Sequence, residues 1–403
     1  MTADQSARRR GSWWRRVQAL SLGLVLVVLG LEVGLRIYGD REKAFANSVN
    51  RTNERWVSLL QAGIFEEIED PVRRYAMRPG AEAEVDGWTF RVSSHRTRGE
   101  DFPRNKPSNE KRLLAVGDSF CFGLWSDEDE TLVGHLVRMA NEAEAAAGSG
   151  ITWRALNIGV PGYHSGQQYR ALVQEGLHLD PDAVLLYYNT NDIQTEGLFL
   201  DEQLGALRAD FLALPVGLKR ALWQSHLYGL IVRTVERGRS SPEGWPHIDP
   251  ATQEATAGVL RDLSAACRGA DVPLFFVNQP LLTWTGDLRN PDWWGRPLVD
   301  WASERAREMG VPSYSLLGWL RGYHDGVDRL AADGSGPPWE FLPEMYVADV
   351  AVQEGVQQFM RTGSVSLEEI DLPAEPDFHF TGAGYGEIAR LVYPAMREAG
   401  LLP

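Results

Sequence analysis

The sequence predicts an α/β protein built on a parallel, doubly wound sheet, preceded by one apolar helix. Three observations predict it. From residue 110 onward, short apolar runs alternate with helical patterns, as βα units require. Three of the four runs end in polar or glycine-containing turns, the end at which open α/β sheets bind ligands. Near the N-terminus, Val17 to Leu31 is an uncharged run of 15 residues.

That run opens the chain's organisation. It follows Arg8, Arg9, Arg10, Trp13, Trp14, Arg15 and Arg16, and reaches 19 residues when extended through Glu32 to Leu35. About 20 apolar residues cross a bilayer core. The sequence therefore predicts a transmembrane anchor over 17–37. The arginines hold residues 1–16 in the cytoplasm, and the chain beyond about residue 40 lies outside. A cleaved signal peptide is the rival reading, with Ala44-Phe45-Ala46 as a small-x-small site. Arg36, Asp40, Arg41, Glu42 and Lys43 separate that site from the apolar run. Both readings export the remainder; a buried core helix is the third.

Residues 38–109 read as an extracytoplasmic linker and a small β-containing region. Within it, Val85 to Val92 alternates as a strand does. Residues 110–403 form the main domain. Its strands are predicted at 112–116, 153–158, 183–188 and 274–277. Helices are predicted through Val133, Leu136, Val137 and Ala140, over 253–269, and after Gly382. Two insertions are expected. One, near 193–250, is helical (Leu198, Phe211, Trp223, Leu227). The other, near 283–345, contains Trp-, Gly- and Pro-rich loops.

Composition removes several function classes. The 403 residues carry a formal net charge of −15, which opposes nucleic-acid binding. Two cysteines, Cys121 and Cys267, allow neither a disulfide framework nor a Cys-rich zinc site. The eight histidines lack ligand spacing such as two His four apart on one helix. No metal or organic cofactor is expected.

The strand ends carry the chemistry. Ser119 follows the first strand and opens a helix, where backbone N–H groups and the helix dipole favour an anion. Its hydroxyl can attack a carbonyl, and neighbouring amides can hold the oxyanion. Gly162, in the turn after the second strand, allows another N–H to approach closely. Asn191, after the third, offers a side-chain amide. A nucleophilic serine needs a base, and His379 sits in a loop ahead of the last helix. Asp377, two residues before it, faces the same way if that segment is extended, and so can orient the imidazole.

Gly117-Asp118-Ser119-Phe120, Asn157-Ile158-Gly159-Val160-Pro161-Gly162, Asn189-Thr190-Asn191-Asp192 and Asp377-Phe378-His379 occur in the order of the blocks of the GDSL, or SGNH, hydrolase superfamily. The chain resembles that superfamily from about residue 110 to its C-terminus. It departs at Asn189, where Gly is usual, and at Pro376, where many members carry the acid. An Asp-x-His form is similar to sugar O-acetyl enzymes. The resemblance implies a flavodoxin-like three-layer α/β/α sandwich. It assigns Ser119, His379 and Asp377 to catalysis, and Ser119, Gly162 and Asn191 to the oxyanion hole. It also implies a serine-dependent ester hydrolase acting on carbohydrate or lipid O-acyl esters, acetyl favoured, through an acyl-enzyme on Ser119. A polysaccharide O-acetyltransferase would use the same residues; an inert glycan-binding scaffold is the remaining alternative. The expected partners are an acylated glycan or other ester substrate and, through the N-terminal helix, the bacterial inner membrane. The catalytic domain would then be periplasmic or otherwise extracytoplasmic.

Other residues read as structural. Asp118 and Asp192 would stabilise their turns, and Cys121 would be a small core residue. His164 is expected to face solvent from the Gly162 loop. Trp284, Trp293, Trp294 and Trp339 suit either sugar stacking or packing beneath loops.

Overall fold

The computed structural model describes residues 3–38, 54–193, 198–201, 206–209, 214–222, 225–231, 250–279, 296–317 and 379–403. In chain order the elements are α1 (Ala3–Tyr38), α2 (Glu54–Gln61), β1 (Phe65–Glu67), β2 (Tyr75–Met77), β3 (Glu82–Val85), β4 (Trp88–Arg91) and β5 (Glu110–Gly117). They continue with α3 (Ser119–Phe122), α4 (Leu132–Ala147), β6 (Thr152–Asn157), α5 (Ser165–Gln174), β7 (Ala183–Asn189), β8 (Leu198–Asp201) and β9 (Ala206–Ala209). The last are α6 (Val216–Leu222), a short helix α7 at 226–231, α8 (Pro250–Gly269), β10 (Leu274–Gln279), α9 (Arg296–Glu308), β11 (Ser313–Ser315) and α10 (Gly382–Glu398).

The chain divides into two compact units. One joins Met1–Val49 to Leu212–His247; the other joins Asn50–Phe211 to Ile248–Pro403.

The second unit holds a five-stranded sheet in the order β11-β10-β7-β5-β6, every pairing parallel. Counting its strands in chain order gives 2-1-3-4-5, the flavodoxin-like order, whose switch point falls between β5 and β7. Strand periodicity splits the side chains between the two faces. Leu113 and Ala115, Ala183, Leu185 and Tyr187, and Phe275 and Val277 share one core with α4 and α10. Leu114 and Val116, Val184, Leu186 and Tyr188, and Leu274 and Phe276 share the other with α5, α8 and α9. Helices on both faces of a parallel sheet make the three-layer sandwich. Fully burying one Leu or Phe contributes about 1.5–3 kcal/mol.

The helices face the sheet for legible reasons. In α4, Leu132, Val133, Leu136, Val137 and Ala140 are buried at helical spacing, and Thr131 caps the start by accepting from Gly134 N at 3.2 Å. In α10, Tyr385, Ile388, Ala389 and Val392 are buried after the Thr381 cap.

The structure revises three expectations and adds to a fourth. Val85 to Val92 is not one strand: Asp86 (φ 51°) and Gly87 (φ 87°) form the turn of the β3–β4 hairpin. Asp-Gly favours such a turn because both central residues need positive φ. The expected small β-containing region holds β1–β4, and its Phe65, Tyr75, Met77, Phe90 and Phe102 lie in the α5–α8–α9 core. The 193–250 insertion begins with an antiparallel hairpin, β8–β9, before its helices. Within 283–345, α9 and β11 belong to the sandwich, β11 pairing with β10. Ser313-Tyr314-Ser315 has no apolar run by which to be noticed.

Candidate active site

The site lies at the carboxyl ends of β5, β6 and β7, around the switch point. Beyond β5, Asp118 caps α3 by accepting from Phe120 N at 2.9 Å, so Ser119 becomes the first helical residue. The N–H of such a residue has no acceptor within its own helix. Gly117 lets this turn sit against the sheet. A Cβ there would lie 2.6 Å from Tyr187 O and 2.5 Å from Cys121 Cβ.

After β6 the chain runs through Asn157 to Gly162. The Asn157 side chain ties that loop to the serine helix, donating from Nδ2 to Cys121 O at 2.8 Å and accepting from Gly159 N at 2.9 Å. Gly162 has φ 77°, a left-handed conformation that glycine adopts without a Cβ penalty. Tyr75 holds the loop from outside, donating to Pro161 O at 2.6 Å. Tyr163 OH donates back to Tyr75 O and accepts from Arg73 Nε. Thus β2 braces the Gly162 turn.

After β7, Asn191 is the middle residue of the 3₁₀ turn Thr190–Asp192. Asp192 closes that turn, accepting from Asn189 N at 2.9 Å, and Ser165 Oγ donates to Asp192 O at 3.1 Å. Burial and the neighbouring Asp118 carboxylate push the Asp192 carboxyl well above the usual range. Burial, with the same carboxylate, also pushes the Cys121 thiol up. That thiol is therefore protonated at neutral pH and a poor competitor for the nucleophile's role.

His379 arrives from the other end of the chain. Its Nε2 lies 2.7 Å from Ser119 Oγ, 260 residues earlier. The ring packs on Phe120 with centroids 4.6 Å apart. Next to it Phe380 is buried against Phe120 and Tyr385, and Thr381 caps α10, accepting from Gly384 N at 3.1 Å. His135 Nε2 lies 2.9 Å from Gly382 O, linking α4 to the start of α10. The imidazole is thus set by aromatic packing on one side and a capped helix on the other.

The structure therefore brings Ser119 and His379 together and puts Ser119, Gly162 and Asn191 after three adjacent strands. Asp377 lies outside the described residues, as do Trp284, Trp293, Trp294 and Trp339. Among the described residues, no group of three or more His, Cys, Asp or Glu is placed to hold a metal ion.

No family model matches the chain, and no curated protein matches it. Solved structures similar to it are esterases and lipolytic enzymes. An acetyl xylan esterase, AlAXEase, has 10% identity and a TM-score of 0.38, covering 70% of this chain and 98% of that one. A putative lipolytic protein of the G-D-S-L family from Desulfitobacterium hafniense DCB-2 has 12% identity and a TM-score of 0.34, with 71% and 99% covered. A lipase/acylhydrolase from Enterococcus faecalis has 15% identity and a TM-score of 0.33, with 72% and 96% covered. The five-stranded parallel sheet with helices on both faces fits the α/β architecture expected of an SGNH-type enzyme. At these identities and scores the likeness carries no functional weight, which falls on the Ser119–His379 geometry.

Several supporting residues escaped the sequence reading. Arg98 is buried beneath α3 and donates to the carbonyls of Phe122, Gly123 and Ser126, with Phe90 and Phe122 rings against its guanidinium. A lone Arg in a loop gives no local signal for such a role.

His164 also differs from its expected solvent-facing position. It is 8% exposed and caps α5, its Nδ1 accepting from Gly166 N at 3.1 Å. Burial first, then Arg74, lowers its pKa from 6.5 to about 4. The unfolded chain therefore binds more protons in this window, and stability falls as pH drops from 6.5 toward 4. The loss is on the order of 3 kcal/mol. Denaturant titrations at several pH values should show this slope. His164→Asn keeps a capping side chain and should flatten it; an unchanged slope would remove His164 as the cause.

Proposed function

We propose that the chain is a membrane-anchored serine ester hydrolase acting outside the cytoplasm. The observation that carries this is the 2.7 Å approach of His379 Nε2 to Ser119 Oγ at the sheet's switch point. A nucleophile and base in hydrogen-bond reach, at a helix start, have the arrangement acyl transfer needs.

In this mechanism His379 Nε2 takes the Ser119 proton as Oγ bonds to the ester carbonyl carbon. The carbonyl oxygen becomes an oxyanion, held by the N–H groups of Ser119 and Gly162 and the Asn191 amide. The intermediate collapses, His379 gives its proton to the departing alcohol, and the acyl group stays on Ser119. Water, deprotonated by His379, then releases the carboxylic acid and restores the serine. Asp377 holds the opposite imidazole nitrogen and fixes the tautomer. The substrate class is an O-acylated carbohydrate or lipid, with acetyl favoured.

The anchor is α1. Trp13–Ile37 is 25 residues long, long and apolar enough to cross a membrane, and its most apolar 18-residue stretch has a mean hydropathy of 2.1. With Arg8 to Arg16 cytoplasmic, residues 38–109 and the catalytic part, 110–403, lie outside. Protease added to intact spheroplasts should digest the C-terminal part; complete protection would overturn this orientation.

Activity is tested with a short aryl acetate, whose good leaving group reports acylation without knowledge of the natural alcohol. Purified full-length protein in vesicles should hydrolyse it, and Asn191→Ala should lose about 10²–10³ in turnover, the usual loss for one oxyanion donor. Full turnover in that variant would remove Asn191 from the oxyanion hole.

A further inference from the structure

The first unit contains more than the membrane-spanning helix. Residues 214–222 and 225–231 belong to it as well, and 225–227 bond to one side chain of α1, Glu32. Ser225 starts α7: its Oγ accepts from Tyr228 N at 3.1 Å and donates to Glu32 Oε2 at 2.7 Å. The same carboxylate accepts from His226 N at 3.0 Å and Leu227 N at 2.9 Å. These are first-turn donors that a helix cannot satisfy internally. Arg36 Nε adds a fourth partner at 2.8 Å. The acid that interrupts the apolar run of α1 is thus engaged by the start of α7 and by Arg36 of α1 itself.

Position along α1 sets the depth of this contact. Glu32 is 19 residues beyond Trp13, which at 1.5 Å per residue is about 28 Å, close to the thickness of a bilayer core. With the tryptophans at the cytoplasmic interface, Glu32 lies at the opposite one.

The exposed apolar side chains outside α1 are concentrated in the same unit. Outside α1, four large apolar residues are exposed among the described residues; three of them are Leu218 (47%), Leu230 (38%) and Ile231 (45%). The polar members Lys219 and His226 are buried. Exposed apolar ends beside a membrane-spanning helix suit lipid rather than water.

Resting on the reading of α1 as an anchor, we propose that α6 and α7, residues 216–222 and 225–231, form an interfacial membrane element. It lies in the leaflet on the Tyr38 side of the bilayer, α7 docked to α1 through Glu32, with Leu218, Leu230 and Ile231 among the lipid chains. The protein would then hold the bilayer at two segments far apart in sequence.

The test uses the full chain in phosphatidylethanolamine/phosphatidylglycerol vesicles, with Ile231→Cys carrying an environment-sensitive fluorophore. Both native cysteines are buried, and the unsubstituted protein supplies the labelling blank. A Leu24→Cys probe, near the middle of α1, reports the anchor independently. An interfacial helix buries its apolar face only about 5–10 Å, so a nitroxide near the lipid headgroup should quench the Ile231 probe roughly twofold more than one deep in the acyl chain. The Leu24 probe should show the reverse order. Aqueous iodide quenching of the Ile231 probe without lipid quenching, while Leu24 is quenched from the deep position, would overturn the interfacial element and leave the anchor standing. A blue-shifted Ile231 probe untouched by either nitroxide would mean that protein covers this face, and would also overturn it. If neither probe senses lipid, the anchor reading fails and this inference fails with it.

Discussion

Ser119→Ala should abolish ester hydrolysis, and His379→Ala should lower it almost as far. In the proposed mechanism each side chain acts only through the other: Oγ is a weak nucleophile until Nε2, 2.7 Å away, accepts its proton. Each loss should be at least about 10³-fold in kcat, and the double variant should be little worse than either single one. Initial rates on an aryl acetate, with active protein counted by folded fraction, give all three numbers. Losses that multiply in the double variant would mean that the two residues work independently. Asp377→Asn should also reduce kcat, because it exchanges the carboxylate proposed to hold the tautomer for an amide.

Gly117→Ala should cost both stability and turnover. The added methyl group would meet Tyr187 O at 2.6 Å and Cys121 Cβ at 2.5 Å. The carbonyl belongs to β7, which is paired on both sides, and so has little room to yield. Overpacking of this kind costs about 1–3 kcal/mol. The strain also falls two residues before Ser119, so relaxation displaces the nucleophile from His379. A shift of about 1 Å at a reacting group costs on the order of 10²-fold in rate. Gly258→Ala is the control. Its site on α8 is open, with only the end of the Arg261 side chain nearby, at 3.8 Å. It should stabilise by about 0.5–1 kcal/mol through helix propensity and leave kcat unchanged. Denaturant midpoints and kcat measured on the same preparations decide this; an active, fully stable Gly117→Ala protein would show that the turn tolerates a side chain.

What the sequence revealed and what it hid have physical causes. Strands β5, β7 and β10 lie in the sheet interior and read as continuous apolar runs, because both faces are covered. Strand β11 is a three-residue edge strand, Ser-Tyr-Ser, with nothing apolar to mark it. Asp86-Gly87 was visible as a turn signal, but the alternating pattern on both sides of it reads as one strand. The positions of Ser119, Gly162 and Asn191 followed from strand ends, since local pattern and topology agree there. Their bracing did not. Arg98, Tyr75 and Asn157 act across distant parts of the chain, and single buried side chains have no periodicity. His164 was misplaced for a related reason: a loop histidine faces solvent unless a helix start recruits it, and His is an uncommon cap.

The central claim is that Ser119 forms an acyl-enzyme with His379 as its base, and covalent trapping tests it most directly. The full-length protein is treated with a fluorophosphonate, digested and mapped by mass spectrometry. The serine oxygen should displace fluoride and leave one phosphonyl adduct, on Ser119, formed at a rate that collapses in His379→Ala. An adduct on a different residue, or labelling of Ser119 that proceeds equally fast without His379, would contradict the account.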